Sequence, residues 1–194
     1  MQLFGLYLVA ASLLVGAGVA KAIRPDDTAR ALATLVPRPA RGVATLRRVR
    51  TAVRAGAFIE AALGVLALAL PRPVTAALVA FSYAAFAVVV GYAVAHEGAL
   101  ASCGCFGRPD TPATLTHALI NLGLAAACAA VAFGAPDTGS VVTVLAHQPL
   151  AGVPLLFLSA VGVGVTYLAL SVLPALEAAR RLVQRRSDTA VPAP

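Results

Sequence analysis

Residues 73–95 read PVTAALVAFSYAAFAVVVGYAVA, an unbroken run without a single charged side chain. As an α-helix this run would be about 35 Å long and would cross the roughly 30 Å hydrocarbon core of a bilayer. Inside lipid the run must be helical, because a helix satisfies its own backbone hydrogen bonds. The stretch therefore predicts a transmembrane helix.

Four more segments of the same kind flank it, and 60% of the chain is apolar while only 12% is charged. So few polar groups cannot cover a soluble globule of this size, and we expect a single transmembrane domain over residues 1–176. A signal peptide at the N-terminus is a weaker alternative, since the first run lacks the basic residues that begin such peptides. The predicted class is an all-α integral membrane helical bundle, with spans at about 2–22, 54–70, 73–95, 112–134 and 150–175. Residues 177–194 are expected to form a basic, disordered tail.

The loop 24–53 between the first two spans is strongly basic. Nine of the 15 lysine and arginine residues lie between Lys21 and Arg54. Leu46, Val49 and Val53 fall on one helical stripe with arginines on the other side, which predicts a segment lying in the lipid headgroup layer. The expected partner of these charges is the lipid bilayer and not a nucleic acid, because they lie beside membrane spans.

The basic residues are divided unequally between the two membrane faces. Five spans place 14 of them on one face and only Arg72 on the other. By the positive-inside rule, the N-terminus is predicted outside and the C-terminus in the cytoplasm, in a multi-pass protein of the cell (inner) membrane. The loop 97–111 would then be cytoplasmic.

That loop contains two thiols separated by one glycine, in the motif Cys103-Gly104-Cys105-Phe106-Gly107. A disulfide needs its α-carbons about 4.4–6.8 Å apart, and Gly104 gives the backbone the freedom to bend that far. A ring so small should be strained, which raises its reduction potential and makes the bond easy to exchange. We therefore predict Cys103 and Cys105 as the catalytic residues, with Phe106 packing the loop against the bundle.

Three other interpretations of the cysteine pair stay open: a soft-metal site completed by His96 or His117, two inert thiols, or a structural turn. A thioether relay for copper is not possible, because Met1 is the single methionine. The third cysteine, Cys128, is expected to be a small buried hydrophobe. Several glycines are expected to let helices approach closely, namely Gly16, Gly18, Gly64, Gly162 and Gly164.

Polar residues within the spans are candidates for supporting roles, because an ionisable group is costly in lipid. The four candidates are Lys21, Glu60, His117 and Asn121. Because successive spans alternate in direction, all four fall at the same membrane face as the cysteines, and so do His96 and Glu97. Two of them, Lys21 and Glu60, are expected to form an ion pair. The other two, His117 and Asn121, share a helix face, and His117 either assists the thiols or bonds to a backbone carbonyl.

The sequence resembles the MauE branch of the DoxX-like, redox-associated membrane proteins. The resemblance covers roughly residues 4–130 and rests on the cysteine motif, the ending Gly16-Ala17-Gly18-Val19-Ala20-Lys21 of the first span, and Glu60 with Gly64. It implies a compact four-helix core, to which the fifth span is added. It also implies a role in thiol-disulfide traffic, assisting a thioredoxin-like partner or the maturation of an exported disulfide-containing protein.

The resulting hypothesis is that Cys103 and Cys105 cycle between dithiol and disulfide, with a quinone as electron acceptor if the bundle holds a cavity beside the loop. Alternative functions are a soft-metal or small-molecule transporter and a noncatalytic assembly factor. The sequence has no nucleotide-binding loop, carboxylate pair or serine-histidine arrangement that would indicate a hydrolase.

Overall fold

The computed structural model describes residues 2–33, 43–95, 114–134 and 141–190, and within these ranges every regular element is a helix. In chain order they are α1 (Gln2–Ile23), α2 (Pro25–Ala33), α3 (Val43–Ala69), α4 (Pro73–Ala95), α5 (Leu115–Gly134), α6 (Val141–His147) and α7 (Pro149–Ala190). Five of them, α1, α3, α4, α5 and α7, contain a stretch long and apolar enough to cross a membrane. The predicted class, a helical membrane bundle with five spans, is confirmed.

The core consists of two closely packed helix pairs, α1 with α3 and α4 with α5, and α7 lies along α1. The largest fully buried side chains are Tyr7 and Leu14 of α1, Val79 of α4 and Cys128 of α5. The expected burial of Cys128 is therefore confirmed. The interior is held mainly by apolar packing, with a few polar bonds between helices.

Two buried tyrosines tie α1 to its neighbours. The hydroxyl of Tyr7 donates to the carbonyl oxygen of Ala67 in α3 at 2.9 Å and lies 3.2 Å from the hydroxyl of Thr75 in α4. The hydroxyl of Tyr83 in α4 donates to the carbonyl oxygen of Ala10 at 2.7 Å. A hydroxyl group buried among apolar side chains needs a hydrogen-bond partner, so these bonds fix how far α1 is shifted along its axis relative to α3 and α4.

Glycines of α1 and α3 allow these two helices to touch through their backbones. A methyl group added at Gly18 would lie 2.7 Å from the carbonyl oxygen of Ala57, and one added at Gly64 would lie 2.9 Å from that of Ala11. Backbone atoms cannot move aside as a flexible side chain can, so both positions require glycine. The sequence prediction for these two glycines is confirmed.

The same prediction holds for one of the remaining three glycines. A methyl group at Gly162 of α7 would lie 2.9 Å from a side-chain carbon of Val9, so this glycine also lies at a close contact. A methyl group at Gly16 or Gly164 would meet nothing within 4 Å, and for these two the prediction was wrong. Gly18, Gly64 and Gly162 face a neighbouring helix, whereas Gly16 and Gly164 do not. The spacing of the glycines along the chain does not specify which of them face a neighbour.

Within the predicted interfacial loop 24–53, the described residues belong to two helices apart from Arg24, which separates α1 from α2. Residues 25–33 form α2, and residues 43–53 are the first part of α3, which continues without a break into the membrane span. Val53 of the predicted apolar stripe is buried, whereas Leu46 is 43% exposed. The segment 43–53 is therefore continuous with the span and does not lie as a separate helix in the membrane surface, because no proline interrupts the helix between Val43 and Ala69.

The basic tail also differs from its prediction. We expected residues 177–194 to be disordered, but α7 continues as a helix to Ala190. The stretch EAARRLVQRR from Glu177 to Arg186 is rich in good helix formers and contains neither glycine nor proline, so the helix that leaves the membrane can propagate through it.

Candidate functional site

A buried ion pair joins α1 to α3 near one end of the bundle. The ammonium nitrogen of Lys21, in the last turn of α1, contacts the carboxylate of Glu60, and their side chains are 8% and 19% exposed. The same nitrogen lies 4.5 Å from the ring centre of Phe86 in α4, a cation-π distance. The ion pair expected from the sequence is present, and it provides the counter-charge that each group needs in a low-dielectric interior.

His117, three residues after Thr114, is buried and bonded at both ring nitrogens. Its Nε2 lies 2.9 Å from the carbonyl oxygen of Leu170 in α7, and its Nδ1 lies 3.0 Å from the hydroxyl of Thr114. A carbonyl oxygen can only accept, so Nε2 carries the proton and donates to Leu170. The arrangement fits a neutral imidazole whose Nδ1 accepts from Thr114. Of the two alternatives for His117, the structure has the bond to a backbone carbonyl.

Asn121 lies one turn further along α5 and faces the same interior. Its side-chain nitrogen donates to the carbonyl oxygen of His117 at 2.7 Å. The two residues therefore share a buried face, as their spacing predicts, and both are less than a tenth exposed. This bond uses a carbonyl of the helix itself, so it satisfies the side-chain amide of Asn121 within α5 and does not join α5 to another helix.

A small cavity of about 30 Å³ connects these polar groups. It has room for about one water molecule and is far smaller than the roughly 300–1,000 Å³ of sites that take organic ligands. A quinone ring does not fit in this cavity as it stands. Its lining consists of Leu13, Leu14, Ala17, Lys21, Tyr83, Phe86, His117, Asn121 and Leu170.

The polar cluster, defined as Lys21, Glu60, His117 and Asn121, lies at the end of the bundle where α4 stops at Ala95 and α5 begins. The predicted convergence of these four residues is confirmed. The connection between α4 and α5 therefore begins and ends at this end of the bundle. That connection carries the predicted residues Cys103, Gly104, Cys105, Phe106 and Gly107, and also His96 and Glu97, all of which lie outside the described residues.

Sequence reasoning missed four participants in this cluster: Tyr83, Phe86, Thr114 and Leu170. The spacing of Tyr83 and Phe86, three residues apart, places them on one face of α4 and was an available signal. Thr114, directly before α5, was recognisable as a helix-capping residue type. Leu170 contributes its backbone carbonyl, for which a leucine in a run of apolar residues gives no signal.

The alternative of a metal site receives no support from the part of the chain that the structure describes. Within those residues there is no group of three histidine, cysteine or acidic side chains close enough to hold a metal ion. Of the metal ligands suggested by the sequence, His117 lies among the described residues, and both of its ring nitrogens form hydrogen bonds to protein groups.

Five spans around a buried polar cluster define a multi-pass helical membrane protein. The chain belongs to the family of the methylamine utilisation protein MauE, whose pattern matches residues 2–134. The match runs from α1 to the end of α5, so α6 and α7 lie beyond it. No curated protein and no solved structure matches the chain. The resemblance to MauE inferred from the cysteine motif and the first two spans is confirmed.

Proposed function

We propose that this protein is a membrane thiol-disulfide exchange protein in which Cys103 and Cys105 form the reactive pair. Its partner would be a thioredoxin-like protein, or an exported protein whose disulfides it helps to mature. The observation that carries the proposal is the position of the motif: the cysteines lie in the connection that begins and ends beside the buried polar cluster. Membership of the MauE family supports an accessory role in the membrane.

The exchange we propose proceeds in two balanced steps. The thiolate of one cysteine attacks a partner's disulfide, forming a mixed disulfide and releasing one partner thiolate, which takes up a proton. The second cysteine, as a thiolate, attacks the mixed disulfide and releases the other partner thiolate. Two electrons have then passed to the partner, and Cys103 and Cys105 are joined. A second protein dithiol restores the pair by the same reaction in reverse.

In this proposal the polar cluster positions the loop and does not itself exchange electrons. The Lys21–Glu60 ion pair holds α1 against α3, and the bonds of His117 to Thr114 and Leu170 hold the start of α5. Because both ring nitrogens of His117 are bonded, we assign it a positioning role in preference to that of a base. The two ends of the cysteine-containing connection are thereby held close to a rigid support.

Trapping of mixed disulfides tests the proposal. Each of Cys103→Ala and Cys105→Ala leaves one thiol of the pair, and at least one of these variants should capture a thioredoxin-like protein in a complex that dithiothreitol releases. Cys128→Ala is the matched control, because its thiol is fully buried and its loss should leave the exchange unchanged. The proposal fails if neither single variant captures a partner and the variant lacking both cysteines keeps full function.

A noncatalytic assembly factor is the second candidate, because membership of the MauE family is equally consistent with an accessory role in the membrane that needs no reactive cysteine. Such a factor would hold a partner enzyme in the membrane through surface contacts. Its complex would survive replacement of both Cys103 and Cys105, whereas a complex held by a mixed disulfide would not. Co-purification of the partner with the double variant therefore separates the two functions.

A further inference from the structure

The exposed face of α3 changes from basic to apolar along its length. Arg47, Arg48 and Arg54 are exposed at the N-terminal end, and Phe58 and Ile59 are 60% and 68% exposed one turn later. The spacing places these residues on neighbouring parts of one helix face. A surface on which arginines give way to large apolar side chains is typical of a helix that leaves the hydrocarbon layer at this point.

The packing against α1 sets the depth of these arginines. The two helices are antiparallel and Gly18 lies against Ala57, so the end of α1 at Ile23 is about level with Arg54. Since α1 has about the length of the hydrocarbon layer, Arg54 lies at its edge. The two arginines at 47 and 48, here called the arginine pair, are about 10 Å further out along α3, at the outer edge of a headgroup region roughly 5–8 Å thick, and their long side chains can reach back to the lipid phosphates.

Three of the four arginines at this end of α3 have no carboxylate partner among the described residues. Asp26 of α2 forms an ion pair with Arg50, at 3.0 Å from Oδ1 to Nε. In the described parts of the chain, no carboxylate pairs with Arg47, Arg48 or Arg54. These three guanidinium groups therefore present positive charge to whatever lies beside the membrane at this end of α3.

The surface beside the arginine pair is open and lacks bulky side chains. The positions next to the pair on this surface carry small side chains, namely Ala44, Thr51, Ala52 and Ala55. The hydroxyl of Thr51 donates to the carbonyl oxygen of Arg47 within the helix, so it does not extend outward between the arginines. Small residues between arginines leave room for a headgroup to approach the helix backbone.

We propose that the arginine pair and Arg54 bind the phosphate group of an anionic phospholipid, whose acyl chains extend along Phe58 and Ile59. Guanidinium groups suit this ligand because each can donate two parallel hydrogen bonds to phosphate oxygens. The depth of the arginines favours a lipid over a soluble acidic partner. The inference does not depend on the proposed redox function, since it uses no residue of the cysteine loop.

Lipid binding to the purified full chain tests this inference. The protein in mild detergent is titrated with phosphatidylglycerol or phosphatidylcholine, and the lipid-bound fraction is measured by native mass spectrometry. Phosphatidylglycerol should bind more tightly, and raised sodium chloride should weaken its binding because salt screens exposed charges. Arg47→Ala with Arg48→Ala should weaken it about 30-fold, the factor expected for two arginines at an anionic surface.

The matched control is Arg72→Ala with Arg180→Ala, which removes the same charge from exposed positions beyond the opposite end of α3 and on α7. It should leave binding unchanged, and the inference is overturned if it weakens binding as much as the α3 variant does. Equal binding of the two lipids would also overturn it and point to an acidic protein partner. Displacement of phosphatidylglycerol by inorganic phosphate, but not by sodium chloride at the same ionic strength, would overturn it in favour of a soluble phosphate ligand.

Discussion

The ion pair between Lys21 and Glu60 places two ionisable side chains in the interior of the bundle, where most of the neighbouring side chains are apolar. Phe86 offers the ammonium group a second favourable contact through the face of its ring. Such a pair contributes less than its Coulomb attraction suggests, because both groups lose water on burial. Substitution of only one of the two residues is nevertheless costly, since the charge of the other residue then stays buried without a partner.

We therefore expect Lys21→Met to lower the free energy of unfolding by about 3 kcal/mol, a typical cost of leaving one buried charge without its partner. Glu60→Leu should have a similar effect. The double variant should cost less than either single variant, because it buries no charge. Unfolding in mixed micelles, followed by circular dichroism, gives the three values and the coupling between the residues.

Arg50→Ala is the control for this cycle. This substitution breaks the ion pair between Arg50 and Asp26. Because both side chains are more than half exposed, the free energy of unfolding should change by less than about 1 kcal/mol. Additive effects of the two substitutions at the buried pair would contradict the interpretation that Lys21 and Glu60 depend on each other.

At the scale of elements, α1 and α3 approach each other closely enough for their backbones to touch. A methyl group at Gly18 would lie 2.6 Å from the backbone nitrogen of Ala61, so α1 and α3 would have to separate to admit it. Lipid tails are as apolar as the side chains of the spans, so the hydrophobic effect does not draw helices together within a bilayer. Close packing of this kind therefore supplies much of the attraction between them. A small change at this surface should therefore have a large effect.

Gly18→Ala should destabilise the protein by about 1–3 kcal/mol, the usual cost of inserting a methyl group into a tightly packed contact. Gly16→Ala, two residues away on the same helix, is the matched control, because a methyl group there meets nothing within 4 Å. It should leave stability unchanged or slightly raised, since alanine favours a helix over glycine. Thermal unfolding midpoints in one detergent provide the comparison, and equal losses for both variants would show that packing is not the cause.

At the scale of the whole molecule, α7 is attached to the other helices along one side. His117 of α5 donates to the carbonyl of Leu170, and Gly162 lies against Val9 of α1. Much of its remaining surface is apolar and exposed, for example Phe157 at 69%. The helix α7, which lies beyond the family match, is thus joined to the matched bundle of α1, α3, α4 and α5 by a few specific contacts.

The charge distribution predicts the orientation of this assembly, with the C-terminal end of α7 and the cysteine loop in the cytoplasm. A membrane-impermeant maleimide should therefore label Cys103 and Cys105 in inverted vesicles and leave them unlabelled in intact cells. Cys128 is an internal control, because its thiol is fully buried and should react only after denaturation. Labelling in intact cells would reverse the predicted orientation and place the exchange partner outside the cytoplasm.

The sequence by itself determined the membrane class, the number of spans and the end at which the polar residues gather. The thickness of the hydrocarbon layer sets the length of each apolar run, and alternating span directions place Lys21, Glu60, His117 and Asn121 at one face. These properties depend on composition and order along the chain. They can be derived before any helix is packed against another.

Beyond the ion pair expected between Lys21 and Glu60, tertiary structure decided which residues touch, and through which atoms. Gly18 and Gly64 lie at close contacts while Gly16 does not, and His117 bonds to a backbone carbonyl 53 residues away. Both facts depend on how neighbouring helices are rotated and how far apart they lie. A pattern of apolar residues specifies neither when every face of a span is apolar. The sequence therefore specified how far each helix crosses the membrane, and packing specified which way each one faces.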